Sequence, residues 1–422
     1  MSGLLEPGSH RARGLVDDRA LLTAMVRVET AWLRALAAAG AIDAADAARA
    51  AAAIGAADVD VTALAMEAEA AGNPVVALVR QLRAAVGDDS LSRLVHRGLT
   101  SQDVLDTALV LLARDALARI VADLRSTADG LARLAARHRD DVQPGRTLTQ
   151  YAVPVTFGLT AAQWLTGVLD AAEAAGDVAG RLPVQCGGAA GTLALVAELT
   201  GDPIAAARAF ATELGLCWPG LPWHTRRRPL TDLGDALVGV CDALGVIATD
   251  VTLLGRPEIG EVREGPAPGR GGSSTMPHKQ NPVLSVLLRS AALQAPPLAA
   301  QLHTAAAQAV DQRPDGAWHA EWPALRRLLE LTVTAAAQAV ELVTGLRVDV
   351  TAMRAHADGA ADQLLAERGR PGTPADYLGA AGRFVDHALE RHHRTTDARG
   401  HPAGHRGSAQ PTPTSPTETD RA

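Results

Sequence analysis

Between Thr100 and Arg139 the stretch TSQDVLDTALVLLARDALARIVADLRSTADGLARLAARHR runs for forty residues without a proline. Val104, Leu111, Ile120, Leu124, Leu131 and Leu134 recur in it near helical spacing. A single helix of that length would be about 60 Å long. That is too long for a compact two-layer domain and natural for a bundle of long helices, in which neighbouring helices cover it from several sides. Composition points the same way: the chain is 47% hydrophobic but only 3% aromatic, so alanine, leucine and valine must do most of the packing. The fold class expected is all-α.

Shorter helical patterns surround this one. Asp18 is placed to cap a helix with apolar positions Leu21, Met25, Val28, Trp32 and Leu36 and Gly40 as its stop. Gly72 and Asn73 read as a turn, with Pro74 opening the next helix. Further helical runs are expected at about residues 154–180, 232–254, 282–311 and 323–345. No alternating strand pattern and no internal repeat is present. Ser290 to Val310 is uncharged and long enough for a membrane span, but Pro296, Pro297, three glutamines and His303 interrupt it, which reads as a buried, kinked helix. From about Thr395 the sequence becomes rich in Pro, Thr, Ser and Gly, as expected of a disordered tail.

A net charge of −7 and the lack of a basic cluster give no support for nucleic-acid binding. The N-terminus lacks the apolar run of a signal peptide, and Cys186, Cys217 and Cys241 have neither CxxC spacing nor an even count, so a reducing cytoplasm is expected. The histidines show no metal-ligand spacing, and no metal or cofactor is expected.

One loop stands apart. GRGGSSTMPHKQNP, residues 269–282, contains Lys279, the only lysine of the chain, and Asn281, one of only two asparagines, the other being Asn73. Where arginine supplies every other fixed positive charge, a retained lysine suggests a site that needs a compact point charge rather than a broad planar one. Asn281 and Pro282 have the form of a helix cap followed by proline at the first helical position, which would deliver the loop to a helix N-terminus, where anions are favoured. The glycines and serines supply mobility and two hydroxyls. The spacing is not that of a phosphate-binding P-loop.

GSSTMPHKQNP resembles the signature loop of the fumarase/aspartase superfamily, which includes adenylosuccinate lyase, argininosuccinate lyase and 3-carboxy-cis,cis-muconate cycloisomerase. The resemblance implies Ser273 as the catalytic base and Lys279 with Asn281 as binders of the carboxylate beside the reacting carbon, with Ser274 and Met276 contributing to the same site. Removing a proton alpha to a carboxylate creates a dianion that needs preorganised cations and donors, and a serine can act as base only if its oxyanion is strongly stabilised, as backbone N–H groups of a glycine-rich loop can do. HRGLTSQDVLDTAL (96–109) resembles the first conserved block, implying Thr100 and Ser101 as carboxylate binders, although Thr100 and Asp103 also have the spacing of a capping box. GRTLTQYAVPVTFG (145–158) resembles the second block, with Arg146 and Gln150 as anion contacts.

Two departures decide the branch. Adenylosuccinate and argininosuccinate lyases carry a histidine where this chain has Leu148, and adenylosuccinate lyases carry another where it has Asn73. The cycloisomerase branch has a nonpolar residue at the first position and GNP at the second. QCGGAAGTLA (185–194), PWHTRR (222–227), EIGEVREGPAPGRGG (258–272) and GAWHAEW (316–322) resemble that branch too. The glycines of QCGGAAGTLA are read as permitting close helix packing. Trp318, His319 and Trp322 are either core or pocket lining, and Arg313, like Arg146 and Gln150, is either an anion contact or an ordinary helix-surface residue.

The resemblance implies three helical domains: an N-terminal domain (1–98), a central long-helix bundle (99–345) carrying the catalytic loop 265–282, and a small C-terminal domain (346–394), with the tail at 395–422. It also implies a homotetramer whose active sites combine blocks from three subunits, acting on a small tricarboxylate with no nucleic acid or membrane partner. The function implied is interconversion of 3-carboxy-cis,cis-muconate and 4-carboxymuconolactone. Another lyase such as adenylosuccinate lyase, a non-catalytic structural member and a dicarboxylate-binding module are the alternatives. If the lone lysine serves as a point charge, Lys279→Arg loses most of the activity in a steady-state assay despite conserving charge.

Overall fold

The computed structural model describes residues 3–400 except Ser274 and Pro277. The N-terminal region holds α1 (Asp18–Ala38), α2 (Ala44–Gly55), α3 (Val61–Ala71), α4 (Val75–Val86) and the single turn α5 (Asp89–Ser92). The long helix is α6 (Ser101–Arg137), followed by the antiparallel hairpin β1 (Val142–Thr147) and β2 (Gln150–Thr156) and then by α7 (Phe157–Gly180). α8 (Ala194–Thr200), α9 (Pro203–Leu214), α10 (Arg228–Leu254), β3 (Val262–Arg263), α11 (Val283–Ala307) and α12 (Gly316–Gly345) complete the bundle. β4 (Arg347–Val348) pairs with β3, and α13 (Val350–Gly359), α14 (Ala361–Leu364) and α15 (Ala381–Gly400) end the described chain. The all-α class holds, with the two short strand pairs as minor additions.

The expectation of no strands is corrected at the hairpin, which also takes residues 154–156 from the start of the helix expected there. Its pattern is disguised because Pro144 faces Pro154 and a bulge lies between Pro144 and Arg146. Gly145 permits the close approach: a Cβ there would lie 2.3 Å from the Val153 carbonyl oxygen. Asp17 rather than Asp18 caps α1, accepting from the Ala20 N–H at 2.9 Å. α11 passes through Pro296 and Pro297, both on its exposed side, where carbonyls left without a donor can meet solvent. α15 continues to Gly400, past the start expected for the tail, whose remainder lies outside the described residues.

α6 is buried over most of its length and packs against α1, α7 and α12, while α10, α11 and α12 pack on one another. Those three are each long and apolar enough to cross a membrane by length and composition alone. Here they form one face of the core, which small side chains bring close: a Cβ on Gly234 would meet Leu302 at 2.9 Å and one on Gly245 would meet Ala292 at 2.6 Å.

The bundle is pinned by a buried charge cluster. Arg227, just before α10, is 2% exposed and binds both carboxylate oxygens of Asp106 on α6 (2.6 and 3.0 Å) and those of Glu321 on α12 (2.6 to 3.1 Å). The Trp318 indole N–H donates to Asp106 at 2.8 Å, and the Arg227 guanidinium lies over the Trp223 ring at 4.8 Å. Burial opposes the charge on Arg227, but the two carboxylates outweigh it and hold its pKa above the usual arginine value. Burial pushes Glu321 above the usual glutamate value, an effect that its bonds to Arg227 only partly offset. Removing one member leaves a buried charge unpaired, so Arg227→Ala is expected to lower the free energy of unfolding by about 3–5 kcal/mol, read from the denaturant midpoint.

Candidate active site

One turn before Asp106 on α6, a second buried acid organises the first block. The Asp103 carboxylate accepts four donors: the Thr100 N–H (3.1 Å), the Gly187 N–H (2.9 Å), the Gly188 N–H (2.8 Å) and His224 Nε2 (2.9 Å). The capping box read at Thr100 therefore exists, but its acid also clamps QCGGAAGTLA and PWHTRR to the start of α6. The glycines of the first of these do more than admit packing. They present N–H groups to Asp103, and Gly188 adopts a φ of 66° that favours glycine. Gln102 Nε2 donates to the His224 carbonyl (3.0 Å), and Thr107 and Gln185 exchange hydrogen bonds of 3.0 and 3.1 Å. Thr100 is thus held nearly buried at the helix start, with Ser101 half-buried beside it.

Just upstream, His96 stands at a φ of 64°, unusual for a residue with a side chain, and its Nδ1 lies 2.6 Å from Oε1 of the fully buried Glu29.

The signature loop is anchored at its stem and exposed at its tip. Arg146 binds both oxygens of Glu261 (2.7 and 3.0 Å) and lies 5.5 Å from the Tyr151 ring centre; His356 Nδ1 meets the same glutamate at 2.8 Å. Burial disfavours the Arg146 charge, yet Glu261 holds its pKa above the usual value. Arg146 is therefore engaged in joining the hairpin to the loop stem rather than left open for a ligand. Arg270 reaches Glu341 on α12 at 2.8 Å, and Gly265 runs so close to Gly345 that a Cβ would lie 2.3 Å from its carbonyl oxygen.

Asn281 does not cap α11. Its N–H and its side-chain amide both donate to the Gly271 carbonyl (2.8 and 3.1 Å), closing the neck of the loop, while Pro282 provides no cap of its own. The cap comes from Glu264, whose carboxylate accepts from Leu284 N–H (3.2 Å) and Ser285 N–H (2.7 Å). At the tip, Ser273 Oγ accepts from the Thr275 N–H (3.4 Å) and the Met276 N–H (3.2 Å), and the Lys279 N–H donates to the Met276 carbonyl (3.0 Å). The hydroxyl expected to be the base thus sits in a small nest of backbone donors. Met276 is exposed, and Ser274 lies outside the described residues.

The other expected residues fall into two groups. His319 and Asn73 share a corner: His319 Nε2 is 2.7 Å from the Gly72 carbonyl oxygen, and Asn73 Oδ1 accepts from the Val75 N–H at 3.1 Å. Trp318 is core, whereas Trp322 is half-buried with its ring 4.6 Å from that of His319. Gln150 is exposed at the start of β2, bonded to Thr149 (3.3 Å); the tip residues Leu148 and Thr149 have φ of 49° and 68°, and Leu148 is 96% exposed. The Lys279 ammonium, the Arg313 guanidinium and the Ser101 hydroxyl make no hydrogen bond or ion pair with another described residue. No such bond joins the loop tip to the start of α6 or to the hairpin tip among the described residues. Cys186 and Cys241 are poor nucleophiles, since burial raises the first thiol well above its usual value and the second to about 11.

Long helices, a carboxylate-organised helix start and a serine and lysine on a tethered loop define a helical lyase. The family model described as lyase matches residues 10–296, and the chain belongs to that family, within the fumarase/aspartase superfamily. It is 47% identical over 376 residues to the nitrosuccinate lyase of Streptomyces davaonensis, covering 87% of this chain and 79% of that protein. It is 43% identical over 345 residues to the 3-carboxy-cis,cis-muconate cycloisomerase of Pseudomonas aeruginosa, covering 81% and 74%. The crystal structure of 3-carboxy-cis,cis-muconate lactonizing enzyme from Pseudomonas putida superposes with a TM-score of 0.82 at 35% identity, covering 91% of this chain and 97% of that one.

Losing the Glu264 cap frees the exit of the loop. Glu264→Ala is expected to cost about 1 kcal/mol of stability in denaturant titration, with kcat falling further than that loss of folded protein explains.

Proposed function

We propose that the enzyme transfers a proton at the carbon alpha to a carboxylate of a small polycarboxylate, with Ser273 as the base, and that it interconverts 3-carboxy-cis,cis-muconate and 4-carboxymuconolactone. The observation that carries this is the Ser273 hydroxyl within reach of two backbone N–H donors, on the loop that bears the only lysine. In the lactonising direction one substrate carboxylate adds to a double bond, and Ser273 delivers a proton to the carbon alpha to another carboxylate. In reverse it removes that proton while the ring C–O bond breaks, so atoms balance without redox change, metal or cofactor. Lys279, Asn281, Thr100 and Ser101 would hold carboxylates, with Arg313, His319, Asn73, Gln150, Ser274 and Met276 around them and Arg146 positioning the loop stem.

The 47% identity to a nitrosuccinate lyase favours a second reading. The two substrates share a fragment: a CH2-carboxylate that loses the proton, beside a carbon bearing a carboxylate and the departing group. In the lactone the departing group is a ring carboxylate; in nitrosuccinate it is nitrite, which takes the C–N electron pair as the new double bond forms. Either leaves as a weakly basic anion.

The enzyme is read as a cytoplasmic homotetramer with sites shared between subunits. Two features support the shared sites: no bond joins the Lys279 tip to the helix start it would serve among the described residues, and α10 and α11 leave Val246, Leu253, Val286 and Leu293 exposed along the bundle.

The test follows muconate ultraviolet absorbance and, separately, nitrite release. Turnover of the muconate supports the first reading, and turnover of nitrosuccinate alone moves the assignment to the second. Ser273→Ala should lower kcat by at least about a thousandfold on whichever is used. Wild-type protein inert towards both substrates, or a Ser273→Ala variant at full rate, would refute the proposal.

A further inference from the structure

A cavity of about 470 Å3 lies between the N-terminal segment, α1, α6 and α12, away from the signature loop. Its size is in the range of small-molecule sites. Leu105, Leu109 and Leu112 of α6 form one wall, and Val16, Leu21 and Leu329 contribute to the others, so most of the lining is apolar.

Two polar atoms of the lining residues are buried and unmet. Ser9 is 6% exposed with a buried hydroxyl that has no partner among the described residues, and the buried indole N–H of Trp322 has none among them either. Buried polar groups are normally bonded, and an indole N–H can only donate. Both residues line the cavity, and neither atom finds an acceptor among the described residues.

The charged groups around the cavity are nearly all engaged. Arg327 pairs with Glu6 (2.7 Å) and Glu330 (2.9 Å), Arg326 pairs with Asp18 (2.6 Å), and Asp17 accepts from the N–H groups of Gly14 and Ala20. Arg13 and His10, which also line it, have side chains without a hydrogen-bond or ion-pair partner among the described residues. Arg13 is thus the one lining guanidinium that no acid pairs among the described residues, while the Asp17 carboxylate is met by backbone N–H groups alone.

We propose that this cavity binds a small carboxylic acid with an apolar body, its chain or ring against the leucines of α6 and its carboxylate among Arg13, Ser9 and the Trp322 N–H. The site would adjoin the catalytic corner without being part of it. The Trp322 ring lies against that of His319 at a tilt of 47°, His319 contacts the Gly72 carbonyl, and Pro74 of the same turn lines the cavity.

Isothermal titration calorimetry of the full chain with 4-phenylbutyrate and with octanoate tests this. Saturable binding of one acid per chain is expected, with 4-phenylbutyramide at least about tenfold weaker. Leu109→Phe should fill the cavity and abolish binding. Arg13→Gln, on the exposed rim, should weaken it about tenfold and decides the matter if the first variant does not fold. Lys279→Ala should leave binding unchanged. Absence of saturable binding by either acid, binding indifferent to Leu109→Phe and Arg13→Gln, or loss of binding in Lys279→Ala, which would place the acid in the catalytic site, each overturns the proposal.

Discussion

A guanidinium buried between two carboxylates sets the register of this bundle. Arg227 cannot be stripped of water without both Asp106 and Glu321, and those acids lie on different long helices, so α6, the start of α10 and α12 must meet at one level for the charges to be matched. Apolar packing between alanine-rich helices is tolerant of sliding by a turn; this cluster is not. One turn away along α6, Asp103 uses the same fixed geometry to gather backbone N–H groups from two loops and hold Thr100 at the helix start.

The signature loop obeys a different logic. Its stem is tied by Glu261 to Arg146, by Arg270 to Glu341 and by Glu264 to the backbone of α11, whereas Ser273, Met276 and Lys279 lie beyond a neck closed by the Asn281 bonds to Gly271 and an antiparallel bridge between Gly272 and Gln280. A tied stem with a cation at its tip that no acid pairs among the described residues is suited to an anionic substrate, and it makes sense of a lone lysine. In the function proposed above, the helix start organised by Asp103 and the loop tip are two halves of one site carried by different copies of the chain.

Much of this was legible from residue patterns, and the failures have physical causes. The long helix, the Gly72 turn and the capping box followed from periodicity and cap chemistry, and the loop announced itself through rare residues. The hairpin was missed because its paired prolines and bulge erase the alternation that marks a strand. Asn281 was misassigned because a polar residue before Pro282 is also what a loop neck requires; only the fold shows that Glu264, nineteen residues before Val283, reaches the N–H groups. The buried acids were invisible for a related reason. Asp103 and Asp106, three residues apart on a helix, look like solvent-facing charges until Gly187, His224 and Arg227, some eighty to a hundred and twenty residues later, are folded against them.

The central claim is that Ser273 and the Thr100–Ser101 pair of one working site belong to different chains. It is tested most directly by unfolding Ser273→Ala and Thr100→Ala chains together in equal amounts, refolding them and measuring the rate. Sites drawing on two independently chosen chains would be intact in about a quarter of cases, so the mixture should recover about a quarter of wild-type activity although each parent is nearly inactive. A mixture no more active than the average of its parents would contradict the account.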